Sequence, residues 1–339
     1  MRTLTRRECL LTLGAAAVVA RQPRVLATGT SAKQMRGAFM ILHTPFTTAG
    51  EVDWDDLARE AAFVDRSGCQ GIVWPQGSSG VMTLTQAERV QGMDVLGRAV
   101  AGKRVALVLG VQGRDIPEML DFATRAEAIG PDAMIAMPPT SGTSMDDYRA
   151  YFRALAGVTR RPIIVQTSGG APKLPPTTDL LIDLAREFPH LAYVKEESDP
   201  LLPRMQAEIR ARPLMKGIFG ASLGTGWLYE MRLGLDGIIT GMGMYADVMA
   251  RIWDLHERGR HEDVRDAYGK FLLMRNLNEA IPGTDLYMMK KRGVFKTTVR
   301  RTSAPTASAP AKLTEFTPSP IEIEEIEFRF AGLKTYLTQ

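Results

Sequence analysis

From residue 37 onward the apolar residues fall into short runs, each followed by a polar or glycine-bearing turn and then by a stretch in which apolar positions recur at helical spacing. The runs are Ala38–Leu42, Gly71–Trp74, Val105–Leu109, Ala133–Met137, Pro162–Val165, Leu191–Val194, Gly217–Phe219 and Gly237–Ile239. None alternates between apolar and polar residues, which is the pattern of parallel strands covered on both faces. The intervening segments begin with helix-start chemistry. Thr85-Gln86-Ala87-Glu88 spells a capping box, and Val90, Met93, Leu96 and Val100 follow on one face. Asp115 precedes a first turn that contains Pro117, Asp53 and Ser144 stand where N-caps belong, and Gly68 and Gly130 stand where helices stop. Eight strand–helix units in series, with no change of composition among them, predict an α/β fold of the closed (β/α)8 barrel type.

Beyond the eighth strand the pattern predicts further helices over 247–258 and 262–276. A Pro/Ala/Ser/Thr-rich connector over 303–320 follows, then a last helix opened by Ser319-Pro320-Ile321-Glu322. The barrel is therefore expected over 28–246 and a C-terminal helical extension over 247–339.

The first 27 residues read differently. Arg6-Arg7 directly precedes an apolar core, Leu10–Ala20, too short to span a bilayer, and Val25-Leu26-Ala27 is a small-residue cleavage signal. Residues 1–27 thus predict a twin-arginine-type signal peptide and a periplasmic or secreted mature protein. This leader also changes the charge balance. The chain carries a formal +4, and the leader's five arginines against one glutamate account for all of it. A mature chain close to neutral gives no footprint for nucleic acid, and no later apolar run is long enough to cross a membrane. Cys9 leaves with the leader and Cys69 remains without a partner in the chain. Four histidines without ligand spacing imply no metal, and nothing implies another cofactor.

In a barrel of this kind the working residues follow the C-terminal ends of the strands. Thr44, the Gly77-Ser78-Ser79-Gly80 turn, Gln166-Thr167, Lys195 and Thr240 then converge on one mouth. A lysine where a buried strand meets a loop has its charged form destabilised, and the neutral amine can attack a ketone to form a Schiff base. An unperturbed lysine is only about one part in 2,500 neutral at pH 7, so the site must lower its pKa by several units. The other reading of Lys195 is an ordinary salt bridge with Glu196 or Glu197. The Gly77–Gly80 turn, with two hydroxyls and backbone N–H groups between glycines, suits a small carboxylate.

The stretches Thr44-Pro45-Phe46, Gly77-Ser78-Ser79-Gly80 with Leu84-Thr85 and Glu88-Arg89, Gly130-Pro131-Asp132-Ala133 and Tyr193-Val194-Lys195-Glu196 resemble the dihydrodipicolinate synthase / N-acetylneuraminate lyase family of class I aldolases and lyases. The resemblance implies that Lys195 forms a Schiff base with a 2-keto acid such as pyruvate. It also implies that Ser78 and Ser79 stand for the family's paired threonines at the carboxylate, and that the chain forms dimers or tetramers. Several positions depart from the pattern. Gln166-Thr167-Ser168-Gly169 replaces the Tyr-Asn-x-Pro that follows strand five, Pro138-Pro139-Thr140 replaces Pro-Tyr-Tyr, Val81 replaces a glutamate, and Ala171 falls near the place of an arginine. A glutamine hydrogen-bonds but transfers no proton as an acid or base, a role worth about 10²–10⁴ in rate. Ser78, Ser79, Thr140, Thr167 and His43 are the residues left to supply it.

The sequence therefore predicts a lyase, aldolase or dehydratase, acting on a 2-keto acid or keto-sugar acid. Lys195 and Gln166 lie at the reacting centre, and Thr44, Gly77, Ser78, Ser79, Gly80, Thr140, Thr167 and Thr240 surround the substrate. The competing expectation, motivated by the missing tyrosines and the export signal, is an exported binding protein that kept the pocket without catalysis.

Overall fold

The structure, a computed structural model, describes residues 33–338. The expected signal peptide lies outside them. Eight parallel strands close in sequence order into a barrel, each followed by a helix: β1 (Gly37–Ile41), α1 (Trp54–Arg66), β2 (Gly71–Trp74), α2 (Gln86–Ala99), β3 (Ala106–Gly110), α3 (Ile116–Ile129), β4 (Ala133–Ala136), α4 (Met145–Val158), β5 (Ile163–Gln166), α5 (Thr178–Glu187), β6 (Tyr193–Lys195), α6 (Leu201–Arg210), β7 (Gly217–Gly220), α7 (Trp227–Leu233), β8 (Gly237–Thr240) and α8 (Ala246–Glu257). The ring closes where β8 pairs with β1, Gly237 opposite Gly37 and Thr240 opposite Met40.

Both faces of the barrel strands are buried, Tyr193 at the start of β6 being half-buried, which is why the runs show no polar alternation. Residues of one parity fill the barrel interior, among them Phe39, Ile41, Val73, Val108, Ile135, Ile164, Phe219 and Ile239. Residues of the other parity, such as Met40, Ile72, Trp74, Leu107 and Val194, join the larger core beneath the helices. Phe39 and Phe219 meet edge to face inside, ring centroids 5.4 Å apart. A side chain at Gly71 would place its Cβ 2.0 Å from the Phe39 ring, so that glycine makes room for the interior aromatic.

The cap residues read from sequence act as caps. Asp53, Thr85, Asp115 and Ser144 each accept from the backbone N–H three residues on, and Thr85 and Glu88 complete a capping box. Gly130 ends α3 at φ 80, a left-handed turn that glycine adopts without a steric penalty.

Two boundaries differ from the sequence expectation. The first helix assigned to the extension, α8, is the eighth barrel helix: it packs on β1 and α1, and residues from Lys33 onward form one compact unit. The connector over 303–320 is not wholly irregular. After α9 (His261–Ala280) and α10 (Thr284–Lys291), β9 (Val299–Arg301) pairs antiparallel with β10 (Leu313–Glu315). Each strand of this ribbon is three residues long and β10 is fully exposed, so only backbone pairing marks it. α11 (Pro320–Ala331) then starts on the expected Ser319/Glu322 capping box and packs on α9. Among the described residues no helix is long and apolar enough to cross a membrane.

Candidate active site

The pleat of β5 and β6 sorts a run of polar residues into two groups, because successive side chains of a strand face opposite ways. Tyr193 packs against the interior cluster and Val194 against the helices, so Lys195 faces inward. Gln166 is its neighbour in register on β5. Ser168 and Glu197, two residues beyond each, continue the inward face. Thr167, Glu196 and Ser198 continue the outward one.

The inward group borders a cavity of about 330 Å³ at the barrel mouth, together with Gly77, Ser78, Ser222, Leu223, Thr240 and Gly241. Lys195 is only 4% exposed. Its Nζ donates to Glu197 Oε1 at 2.8 Å and to Gln166 Oε1 at 3.2 Å. Ser168 Oγ also donates to Glu197 Oε1 and accepts from Gln166 Nε2 at 3.0 Å. Four side chains thus form a closed hydrogen-bonded ring. Burial lowers the pKa of Lys195 below its ordinary value, and the charge and hydrogen bond of Glu197 pull against that without cancelling it. The salt-bridge reading of this lysine is met by Glu197, but in a buried cavity rather than at the surface.

The outward group forms a second network behind the first. Glu196 is fully buried and accepts from Thr167 Oγ1 at 2.7 Å, Ser198 N at 2.7 Å and Arg204 Nε at 2.9 Å. Thr167 Oγ1 in turn accepts from Glu197 N at 3.0 Å. Glu208 lies beside Glu196, and no donor reaches either of its oxygens among the described residues. Burial first, then the adjoining Glu196, pushes its pKa up to about 10, which favours the protonated acid at Glu208. This network fixes the backbone that carries Lys195 and Glu197.

The loop after β2 divides in the same manner. Ser79 is buried, its hydroxyl donates to Leu42 O at 2.6 Å, and it accepts from Gln76 N at 3.1 Å. The N–H groups of Ser79, Gly80 and Val81 are committed to the Gln76 and Gly77 carbonyls. Ser78 is exposed, makes no side-chain hydrogen bond among the described residues, and lies against Gly241. Ser78 is therefore free to meet a ligand, whereas the Ser79 hydroxyl is committed to Leu42 O and Gln76 N. Thr44 likewise spends its hydroxyl on Ser79 O at 2.7 Å while accepting from Trp74 Nε1 at 3.1 Å.

The remaining expected residues separate further. Thr167 faces Glu196 and not the cavity. Thr140 is exposed and lines a different cavity of about 170 Å³ with Arg89, Gln112 and Met137, because the loop after β4 turns away from Lys195. Thr240 borders the lysine cavity, but its side chain has the outward parity of Ile238, and its hydroxyl is buried without a partner among the described residues. His43 lines a third cavity of about 300 Å³ that shares Gly77, Ser78, Leu223 and Gly241 with the first. Its Nδ1 lies 3.2 Å from the buried carboxyl of Glu60. Ser168 and Glu197 were not anticipated as site residues. The signal for them is the two-residue period that carries Gln166 to Ser168 and Lys195 to Glu197.

Fold and site together define a (β/α)8 barrel whose mouth holds a buried, charge-depressed lysine at the end of its sixth strand. Residues 34–309 match the Dihydrodipicolinate synthetase family, and the chain belongs to it. It is 27% identical over 288 residues to the 4-hydroxy-tetrahydrodipicolinate synthase of Chlorobium luteolum, covering 82% of this chain and 95% of that one. It is also 27% identical over 282 residues to the L-2-keto-3-deoxyarabonate dehydratase of Azospirillum brasilense, covering 79% and 88%. Among solved structures, dihydrodipicolinate synthase from Rhodopseudomonas palustris superposes with a TM-score of 0.74 at 19% identity, covering 89% of this chain and all of that one. The Acinetobacter baumannii dihydrodipicolinate synthase complexed with pyruvate gives the same TM-score and identity, over 89% and 99%. At such identities the structural likeness establishes the fold alone.

Proposed function

We propose that the protein is a class I lyase that forms an imine between Lys195 and a 2-keto acid and then makes or breaks a carbon–carbon or carbon–oxygen bond beside it. The observation that carries this reading is the position of Lys195 Nζ in a cavity large enough for a small keto acid, with its charged form destabilised by burial. The imine's positive nitrogen serves as the electron sink. Ser78 at the cavity rim is the hydroxyl available to the substrate's carboxylate. A synthase and a dehydratase stand at the same 27% identity to this chain, so likeness alone does not choose between condensation and dehydration. The substrate class is accordingly pyruvate or a keto-sugar acid.

Incubation with pyruvate and borohydride, followed by intact mass and peptide mapping, tests the reading. A reduced adduct on Lys195, lost in Lys195→Ala, is expected. Absence of an adduct with pyruvate and with a panel of 2-keto acids defeats it. The replacement of the family's tyrosine by Gln166, a group that transfers no proton as an acid or base, supports a second reading, a binding protein without turnover. On that reading Lys195→Ala keeps nearly full keto-acid affinity by calorimetry, whereas imine formation requires a large loss. The twin-arginine-type leader supports action outside the cytoplasm, which cell fractionation with the leader's Arg6-Arg7 changed to Lys-Lys would check.

A further inference from the structure

We propose that Glu197, oriented by Ser168, is the proton-transfer group of the chemistry on Lys195, doing the work that the family's strand-five tyrosine does where Gln166 now stands. This inference rests on the imine reading above and names the residue which that reading leaves unassigned.

The hydrogen-bonded ring fixes the direction of every proton in it. An ammonium donates only, so Gln166 must turn its oxygen to Lys195 and its NH₂ to Ser168. Ser168, having accepted from that amide, directs its own hydrogen at Glu197. Both remaining donors therefore end on one atom, Glu197 Oε1, the only titratable acceptor in the ring. The other candidates are accounted for elsewhere. Ser79 and Thr167 have committed hydroxyls, Thr140 lines a separate cavity, His43 is bound to Glu60 in the neighbouring one, and Ser78 has no hydrogen bond to the Lys195 ring and is taken by the substrate's carboxylate.

The steps balance without any co-reactant. The Lys195 ammonium gives a proton to Glu197, and the neutral amine attacks the keto carbon, forming the C–N bond as the carbonyl π bond opens. Glu197 returns that proton to the alkoxide, giving a carbinolamine that still carries two hydrogens on nitrogen. Glu197 then takes one of these and delivers it to the hydroxyl, the C–O bond breaks, and water leaves. Of the three ammonium protons, one stays on the iminium nitrogen and two depart with the keto oxygen as water. Glu197 ends ionised, as it began, next to the new cation.

A purely electrostatic role for Glu197 makes the opposite prediction from proton transfer. The Glu197 charge holds the lysine's pKa up against burial. Removing that charge while keeping the shape, as Glu197→Gln does, makes the amine easier to deprotonate, so attack itself should be as fast or faster near neutral pH. A proton-transfer role demands a slower reaction.

The experiment measures the rate at which borohydride fixes pyruvate on Lys195 in the full chain, wild type against Glu197→Gln and Glu197→Asp. Thermal melts of each protein establish that it is folded. The expected result is a fall of about 10²–10⁴ in Glu197→Gln, recovered in large part by Glu197→Asp, which retains a carboxyl. An unchanged or faster rate in Glu197→Gln overturns the proposal while leaving the imine intact. If Glu197→Gln does not fold, the aspartate variant decides alone: it must remain competent in trapping, and a folded Glu197→Asp as inert as Lys195→Ala overturns the assignment. Failure of the wild type to give any adduct is a separate outcome, which overturns the imine reading and this one with it.

Discussion

The network behind Lys195 makes a quantitative prediction that separates its two acidic members. Glu196 and Glu208 are buried and Arg204 is half-buried, with Glu196 accepting from Arg204 and Glu208 assigned as the protonated acid beside it. On this assignment the group carries one negative and one positive charge, and Glu208 is a neutral hydrogen-bond donor. Replacing Arg204 by Met strands the Glu196 carboxylate in the interior and should cost about 3–5 kcal/mol. Replacing Glu208 by Gln exchanges one neutral donor for another of similar shape and should cost less than about 1.5 kcal/mol. The pH dependence is sharper still. The folded pKa of Glu208, about 10, lies above its ordinary value of 4.5, so its contribution to stability is complete below 4.5 and is lost as pH rises through the folded value. Between those limits the native state holds one more proton than the unfolded chain, and stability falls by up to about 1.4 kcal/mol per pH unit. From about pH 6 to about pH 8 the wild type should therefore lose up to about 2.7 kcal/mol relative to Glu208→Gln. Urea unfolding of both proteins at the two pH values measures the difference. Parallel pH dependences, or a Glu208→Gln penalty as large as that of Arg204→Met, would show that Glu208 is ionised and that the assignment is wrong.

Two further substitutions test the carboxylate loop. Ser79→Ala removes a hydroxyl that bonds Leu42 O and Gln76 N and should cost about 0.5–1.5 kcal/mol in urea unfolding, whereas Ser78→Ala should leave stability unchanged and weaken pyruvate capture in the borohydride assay. Stability losses of equal size in both would refute the division of labour. Gly241→Ala would place a Cβ 2.4 Å from both Cβ and Oγ of Ser78, at a backbone position outside the left-handed region, so the serine must move. Pyruvate capture should fall about 10–100-fold, and full capture would show that Ser78 does not meet the keto acid.

The barrel was legible because each strand is short, apolar and bounded by glycine or a helix cap, and because burial on both strand faces is a property of residue type alone. Lys195 was legible for the same reason, being the charge that interrupts the sixth run. The site was legible only to the ends of the strands. Beyond them sequence position no longer gives direction: Ser78 and Ser79 are adjacent in one tight turn, yet one hydroxyl faces the cavity and the other is bonded to the barrel. Gln166 is the last residue of β5, whereas Thr140 lies beyond the end of β4, where the proline-led loop carries it to another cavity. β10 leaves no mark in the apolar pattern because its three residues are exposed and hold their place by backbone pairing, with Leu313 resting on Gly50. Glu197 was visible as a charge beside the lysine. What it needed was the two-residue period of β6 carried two positions past the strand.

That period also explains why a glutamine at position 166 and a carboxylate at position 197 suit one another. Moving a proton from an ordinary lysine to an ordinary glutamate climbs about six pK units, roughly 8 kcal/mol, too much for a fast step. Each unit by which burial lowers Lys195 removes about 1.4 kcal/mol from that climb. The same burial makes an unpartnered ammonium costly, so the cavity needs a counter-charge at short range, and Glu197 at 2.8 Å supplies it. A carboxylate in that position is at once the counter-ion that permits the lysine to be buried and the base to which its proton passes. A tyrosine at position 166 would compete for the space that Gln166 occupies. Glutamine instead closes the ring, giving Lys195 an acceptor and Ser168 a donor, and leaves the titrating role to a single atom. The glutamine ending strand five and the carboxylate after strand six are then two halves of one site.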